Sequence, residues 1–376
     1  MPNLYFYLEQ ISRLWYSFVE VVTMKKVLKA LLIILLIIVI AAVILFAWLS
    51  ITEFKPDAVM EVTPVENLDD AKALSTGDKI SVLSWNIGYA GLGEKSDFFM
   101  DGGESVAAAD KEQVQNYLDG IYSTVYGGEN TPDIVMLQEV DENSSRTYGI
   151  NEVEKLGIYN NSFAKNYSCS FVPYPLPPIG RVNSGLLTNT VYEISSAERI
   201  SLPCPFSWPV STANLKRCML VSYLPIENSD KQLVIVNLHL EAYDDGEGKI
   251  AQTKQLLDFI QSEYDKGNFV IAGGDFNQEF PGALNRYPNT HTDLWAPGLI
   301  DNDMLNDGWQ FAYDLDTPTC RLLNQPYNPS DAEGTQYYVI DGFILSPNIN
   351  LDNVETLNMG FENSDHNPVK LDVTLK

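Results

Sequence analysis

From Ala30 to Ile51 the chain runs for 22 residues without a charge, dominated by Leu, Ile, Val and Ala. At ~1.5 Å of rise per residue this covers a hydrocarbon core of ~30 Å, so the pattern predicts a transmembrane helix. Beyond residue 78 the pattern changes to short apolar runs of strand length. Lys79 to Trp85, Asp133 to Gln138, Gly185 to Thr188, Met219 to Leu224, Leu233 to Leu238, Phe269 to Ala272, Tyr337 to Leu345 and Val369 to Leu375 read as strands. Val106 to Tyr126 reads as helical, at least in its first half. In Lys249 to Tyr264 the residues Ile250, Leu256, Leu257 and Ile260 recur at helical spacing. Helices separate some strands and others follow at hairpin distance, which predicts mixed rather than wholly parallel sheets. Residues 52–78, with Pro56, Pro64 and many acids, read as a tether. Residues 280–334 are rich in Pro, Asn, Asp, Tyr and Trp with weak periodicity, and read as a long surface excursion.

Charge gives the apolar run a direction. Lys25, Lys26 and Lys29 precede it and no Lys or Arg follows until Lys55, so the positive-inside rule puts residues 1–29 in the cytoplasm and residues 52–376 outside the cell. The alternative is a cleaved signal peptide, with an apolar core of roughly 7–15 residues and a small-residue cleavage site. This run is longer and Phe46-Ala47-Trp48-Leu49-Ser50 makes a poor cleavage site, so a retained single-pass anchor is the expectation. Met24-Lys25-Lys26 is an alternative translation start, which would leave residues 1–23 as an annotation artefact or a floppy tail. The chain carries −26 overall. The part after Ile51 holds 20 basic and 48 acidic side chains, a charge of −28. Such a surface repels polyanions, so a general nucleic-acid binder is disfavoured. Cys169, Cys204, Cys218 and Cys320 lie in the exported part, where two disulfides or four buried thiols are equally compatible with the sequence. None is spaced as a CxxC metal pair.

The chain has three histidines, and two of them stand at the ends of predicted strands. His239 closes Val234-Ile235-Val236-Asn237-Leu238-His239, and His366 sits in Ser364-Asp365-His366 ahead of the last strand. Asp275 and Asn277 follow Phe269-Val270-Ile271-Ala272-Gly273-Gly274 in the same manner. Strand ends are where catalytic groups converge in layered folds. His291, in the irregular excursion, reads as an ordinary surface histidine.

Six stretches occur in a telling order: Ser84-Trp85-Asn86-Ile87-Gly88, Leu137-Gln138-Glu139-Val140, Asn237-Leu238-His239-Leu240, Gly274-Asp275-Phe276-Asn277, Val339-Ile340-Asp341-Gly342 and Ser364-Asp365-His366-Asn367-Pro368. Together they resemble the endonuclease/exonuclease/phosphatase superfamily, which includes DNase I-like nucleases, inositol polyphosphate 5-phosphatases and bacterial neutral sphingomyelinases. The resemblance covers roughly residues 79–376. It implies an α+β fold, a two-layer β-sandwich flanked by helices, here preceded by one transmembrane helix. It also implies a Mg²⁺- or Mn²⁺-dependent hydrolase of phosphate esters.

The roles carried over are these. Glu139, a hard oxygen donor, would hold the metal with Asn86 and with Asp365 or its hydrogen-bonded surroundings. Asp275 and Asn277 would position or deprotonate the attacking water, and His366, oriented by Asp341, would stabilise charge on the phosphate. His239 would donate to the phosphate or leaving group. Gly180-Arg181-Val182-Asn183-Ser184-Gly185 resembles the family's small-residue turn, so Arg181 and Asn183 are candidate phosphate contacts. Many relatives have Arg-Ile-Asp-Tyr where this chain has Val339-Ile340-Asp341-Gly342, so a basic contact and a ring are missing there. The expected substrate is a small or lipid phosphoester, with the membrane engaged through the N-terminal helix and no protein partner implied. A surface nuclease and a catalytically silent binding domain on the same scaffold are the alternatives.

Overall fold

The computed structural model describes residues 2–128, 131–244, 246–331 and 334–376. It divides into two units, Met1–Thr52 and Glu53–Lys376. The first is one helix, α1 (Pro2–Ile51). Its Tyr5–Ile51 part is long and apolar enough to cross a membrane. Residues 2–29, for which the sequence pattern predicted no element, belong to the same helix.

The second unit holds two packed sheets. The strands of these two sheets, in chain order, are β1 (Val59–Val62), β2 (Lys79–Asn86), β3 (Ile134–Asp141), β4 (Asn160–Val172), β5 (Gly180–Thr190), β6 (Ser196–Ser201), β7 (Cys218–Pro225), β8 (Gln232–His239), β9 (Phe269–Asp275), β10 (Gln310–Ala312), β11 (Asp341–Leu345), β12 (Ile349–Thr356) and β13 (Val369–Leu375), and two further two-stranded ladders pair Gln278–Glu279 with Gly298–Leu299 and Cys320–Arg321 with Tyr337–Tyr338. One sheet has the order β1-β6-β7-β8-β9-β11-β10 and the other β12-β13-β2-β3-β5-β4. Each has a single parallel pair, β8 with β9 and β2 with β3, and the remaining neighbours are antiparallel. Helix α2 (Lys111–Tyr126) connects β2 to β3, and a second crossover helix (Glu247–Asp265) connects β8 to β9. The expected helix from Val106 starts later because Asp110 caps it, its side chain accepting the Gln113 N–H at 2.8 Å.

Period-two alternation sorts these strands into layers. Ile80, Val82, Ile134, Met136, Leu233, Ile235, Ile271, Phe343, Leu371 and Val373 meet between the sheets. The intervening residues face outward and are covered as well. Leu83, Trp85, Val135 and Leu137 lie under Val114, Leu118 and Ile121 of α2, while Val234, Val236 and Val270 lie under Leu256 and Ile260 of the second crossover helix. Burial on both faces explains why the central strands read as unbroken apolar runs.

Three expectations are corrected here. Residues 52–78 are more than a tether: β1 pairs with β6 from Val59↔Ile200 to Val62↔Ala197, and Leu74 is buried in the inter-sheet core. Tyr337 to Leu345 is two strands, because the Ile340 and Asp341 amides turn to the Thr319 hydroxyl at 3.0 and 3.1 Å. Finally, the excursion 280–334 is only partly superficial, since β10 joins a sheet edge and Thr319, Cys320 and Arg321 are buried. All four cysteines are free thiols, three of them buried.

Candidate active site

The residues facing the gap between the sheets change character along each strand. Ile80 and Val82 give way to Ser84 and Asn86, and Ile134 and Met136 to Gln138. Leu233 and Ile235 give way to Asn237 and His239, and Ile271 to Gly273 and Asp275. The apolar core therefore ends in a buried polar layer. Gln138 Nε2 donates to Asn237 Oδ1 at 2.8 Å, and Asn237 Nδ2 donates to the Leu137 and Leu187 carbonyls at 3.2 and 3.1 Å. These bonds join the sheets under the site and pin the strands that carry it.

Above that layer the candidates converge. Strand register alone sets His239 beside Asp275 and Asp275 opposite Asp341. Across the gap, Asn86 Nδ2 donates to Asp275 Oδ2 at 3.0 Å and to Glu139 Oε1 at 3.1 Å. Asn86 thus bridges two carboxylates through its nitrogen, while its Oδ1 accepts the Gly88 N–H at 3.0 Å. Glu139 follows the outward-facing Leu137 by two residues and alternation would send it outward too. A register shift between Leu137 and Val140, with Glu139 at φ 55°, turns it toward Asn86.

The loop before β13 supplies the remaining groups. His366 Nδ1 lies 2.8 Å from Asp341 Oδ2, and its Nε2 lies 3.9 Å from both Asp275 Oδ2 and Asp365 Oδ2. The loop is held by Trp85 Nε1 donating to the His366 carbonyl at 2.8 Å and by Ser364 Oγ donating to the Asn86 carbonyl at 2.8 Å. His239 Nε2 approaches Asp275 Oδ2 at 3.4 Å. Asn277, at φ 50°, donates its amide N–H to Asp275 Oδ1 at 2.8 Å and its Nδ2 to the Leu240 carbonyl at 2.9 Å. Contacts of 3.1, 3.0 and 3.9 Å therefore link Glu139 through Asn86 and Asp275 to His366.

Arg181 and Asn183 are not tied into this cluster. Arg181 donates to the Asn143 carbonyl, and the Asn183 side chain accepts from Ser168 Oγ at 2.9 Å. Sequence reasoning also passed over groups that the fold brings in. Arg146 forms a two-bond pair with Asp141 at 2.9 and 2.8 Å and covers the Tyr89 ring at 3.6 Å. Thr319, Cys320 and Arg321 back the His366 loop, with Arg321 N–H donating to the Asp365 carbonyl at 3.1 Å. The Asp141–Arg146 separation of five residues in a loop carries no periodic signal. The excursion 280–334 has too little pattern to register.

Electrostatics separates the two imidazoles. Burial, then Arg217 and His366, holds His239 well below the ordinary histidine range, so it is neutral. Burial also works against charge on His366, but Asp341, Cys320 and Asp365 outweigh it and raise His366 well above that range. Asp365 is pushed up to about 7 by burial and by Glu139 and Asp101, despite His366 and Arg321. Asp275 is raised by burial and by Asp341. The site is thus short of positive charge. Nearby cations are committed elsewhere: Arg146 to Asp141, and Arg321 to the Gly93, Ser96 and Gln325 carbonyls.

These residues fit a divalent cation. Several hard oxygens converge, buried Asp341 Oδ1 has no hydrogen-bond partner, and burial, helped by neighbouring carboxylates, raises Asp275 and Asp365, a cost that a bound cation would offset. Asp275, Asp341 and His366 have donor atoms within 4.8 Å of one another. Cys320, Asp365 and His366 are equally close, but burial pushes the Cys320 thiol up to about 12, which leaves it a protonated, poor ligand.

No protein-family model matches the chain, and no curated protein does. Among solved structures it is similar to an endonuclease/exonuclease/phosphatase from Beutenbergia cavernae DSM 12333, at 16% identity and a TM-score of 0.50, over 79% of this chain and 72% of that one. A Bacteroides vulgatus structure of the same description is 16% identical with a TM-score of 0.49, over 80% of this chain and 100% of that one. The human Nocturnin catalytic domain, with bound sulfate anion, is 19% identical with a TM-score of 0.44, over 84% and 98%. In strand order, layering and likeness, residues 53–376 have the endonuclease/exonuclease/phosphatase fold.

Proposed function

We propose that the chain is a divalent-metal-dependent phosphoester hydrolase, anchored by its N-terminal helix with the catalytic unit outside the cell. The observation that carries this reading is the arrangement around Asp275 Oδ2. The His239 imidazole stands 3.4 Å away, the His366 imidazole 3.9 Å away, and an amide donor 3.0 Å away. A water beside Asp275 meets a carboxylate oriented by Asn277 N–H and Asn86 Nδ2, with a pKa raised toward neutrality where general-base transfer works best. His366, locked at Nδ1 by Asp341, aims its protonated Nε2 at the same space and stabilises charge developing on a phosphoryl oxygen. His239 serves as a hydrogen-bond donor to the phosphate or leaving group. Glu139 and Asp365, with Asn86 beside them, would hold Mg²⁺ or Mn²⁺, which supplies charge neutralisation on the phosphoryl oxygens.

The test is a release assay on bis-p-nitrophenyl phosphate, p-nitrophenyl phosphate, sphingomyelin and plasmid DNA, with and without Mg²⁺. Cation-dependent turnover of at least one small or lipid ester is expected. Turnover of none of the four, or activity that persists in EDTA, overturns the reading. Preference for plasmid DNA would make the enzyme a surface nuclease instead.

A further inference from the structure

Two stretches of distorted backbone flank the residues assigned to the metal. Past Asn86, at the exit of β2, Gly88, Tyr89 and Ala90 run consecutively at φ 50°, 42° and 46°. Glu139, near the exit of β3, stands at φ 55°. Left-handed backbone at residues other than glycine persists only where its surroundings hold it, and such positions gather at functional sites. Sheet pairing does not do the holding. The parallel register of β2 and β3 ends at Asn86↔Gln138, followed by one backbone bond from Ile87 N–H to the Gln138 carbonyl at 3.1 Å. Beyond that point the ladder does not fix Glu139 against Asn86.

One side chain reaches both exits. Asp141, two residues past Glu139, is wholly buried, and its N–H donates to Glu152 Oε2 at 2.7 Å. Its carboxylate accepts from Arg146 Nε and Nη2 at 2.9 and 2.8 Å. The same guanidinium lies 3.6 Å over the ring of Tyr89, itself buried. The Tyr89 loop in turn lies against the third ligand: a Cβ on Gly88 would come within 2.8 Å of Asp365 Oδ1. Arg146 thus joins the segment after Asn86 to the segment after Glu139, with Asp365 packed on the first.

A guanidinium suits this place. Two N–H groups on one carboxylate and a flat face on a ring define a geometry that an ammonium cannot reproduce. A buried ion pair adds little net stability once desolvation is counted. Supporting groups that hold metal ligands in place matter more, and their loss typically weakens a metal site by ~10–100-fold.

We propose that Arg146 is a positioning residue for the metal: clamped between Asp141 and the Tyr89 ring, it holds Asn86, Glu139 and Asp365 at the spacing of a divalent-cation site and thereby sets metal affinity. This rests on the hydrolase reading above, in which those three residues hold the cation.

Calorimetric titration of the full chain in detergent with Mn²⁺ tests it, on the parent and three variants. Arg146→Lys keeps the charge and loses the fork. Asp141→Asn with Arg146→Met removes the pair without leaving a buried charge. Tyr89→Leu removes the ring and keeps the pair, so it remains informative if the others fail to fold. In variants whose near-ultraviolet circular dichroism matches the parent, the Kd for Mn²⁺ should rise ~10-fold or more. The Mg²⁺ concentration for half-maximal hydrolysis of bis-p-nitrophenyl phosphate should rise in step, with kcat at saturating Mg²⁺ within about 3-fold of the parent. An unchanged Kd in the folded variants makes Arg146 an ordinary buried ion pair and overturns the proposal, whether or not kcat falls. If the parent binds Mn²⁺ but hydrolyses no ester, the hydrolase reading fails and the Kd comparison still decides the role of Arg146. A parent that binds no Mn²⁺ overturns both.

Discussion

His366 depends on a single neighbour for its state. Asp341 Oδ2, 2.8 Å from Nδ1, orients the ring and is the strongest influence favouring its charge against burial. Asp341→Asn keeps the shape and removes that charge, so His366 should titrate markedly lower by NMR and hydrolysis should fall by ~10²-fold or more. An unchanged His366 titration would mean the pair is only a packing contact. Glu139→Gln likewise keeps shape and removes charge at the cation. Activity should drop by at least ~10²-fold and recover in part with excess Mg²⁺; loss with no recovery would assign Glu139 another role. The raised carboxyl groups give a pH signature. Asp365, near 4 when unfolded and about 7 when folded, holds its proton more tightly in the native state. Its contribution to stability is full below ~4, declines as pH rises to about 7, and is gone above that. A divalent cation removes this penalty, so Mg²⁺ should raise the Tm more at about pH 8 than at about pH 5, and binding near pH 6 should release protons. A pH-independent gain would place the cation elsewhere.

At the scale of elements, β1 makes a sharp distinction between two truncations. Removing residues 1–51 leaves both sheets intact, whereas removing residues 1–78 strips β1 from β6 and takes Leu74 out of the core. The shorter deletion should give a cooperative unfolding transition at nearly the parent temperature for the sandwich. The longer one should lower it by several degrees and promote aggregation through the bared β6 edge. Equal melting of the two would show that β1 adds nothing. Much of the framework was legible: the central strands are buried on both faces and read as apolar runs, and each motif residue follows such a run. Val59–Val62 was not legible, being four residues long and mostly exposed, so neither length nor alternation marks it. Glu139 was legible as a candidate, but the bulge that turns it inward was not, since nothing in Leu137-Gln138-Glu139-Val140 announces a positive φ. Glycine at 342 has a local reason: a Cβ there would come within 2.8 Å of the Phe280 ring, itself stacked on Tyr313. Arg146 and Thr319 to Arg321 lie outside periodic segments and only tertiary contacts reveal them.

At the scale of the whole molecule, the charge pattern and the anchor lead to one argument about placement. Three lysines precede the uncharged run and the next cation is Lys55, while the unit beyond carries −28. Under the proposed reading residues 52–376 face outward. Protease added to intact cells should then degrade the sandwich; a unit that survives in intact cells and is lost after lysis would put it in the cytoplasm. The same topology predicts how the anchor contributes to catalysis. No residue of the His239–Asp275–His366 cluster lies in residues 1–51, so their removal should release a domain with unchanged turnover of bis-p-nitrophenyl phosphate. On a lipid ester in vesicles the domain must find the surface by diffusion, whereas the anchored chain is held at a high effective concentration there. Turnover of vesicle lipid should therefore fall by ~10-fold or more on truncation, and by much less when the same lipid is dispersed in detergent. An equal loss in vesicles and detergent would mean that the helix supports the fold of the site rather than its access to substrate.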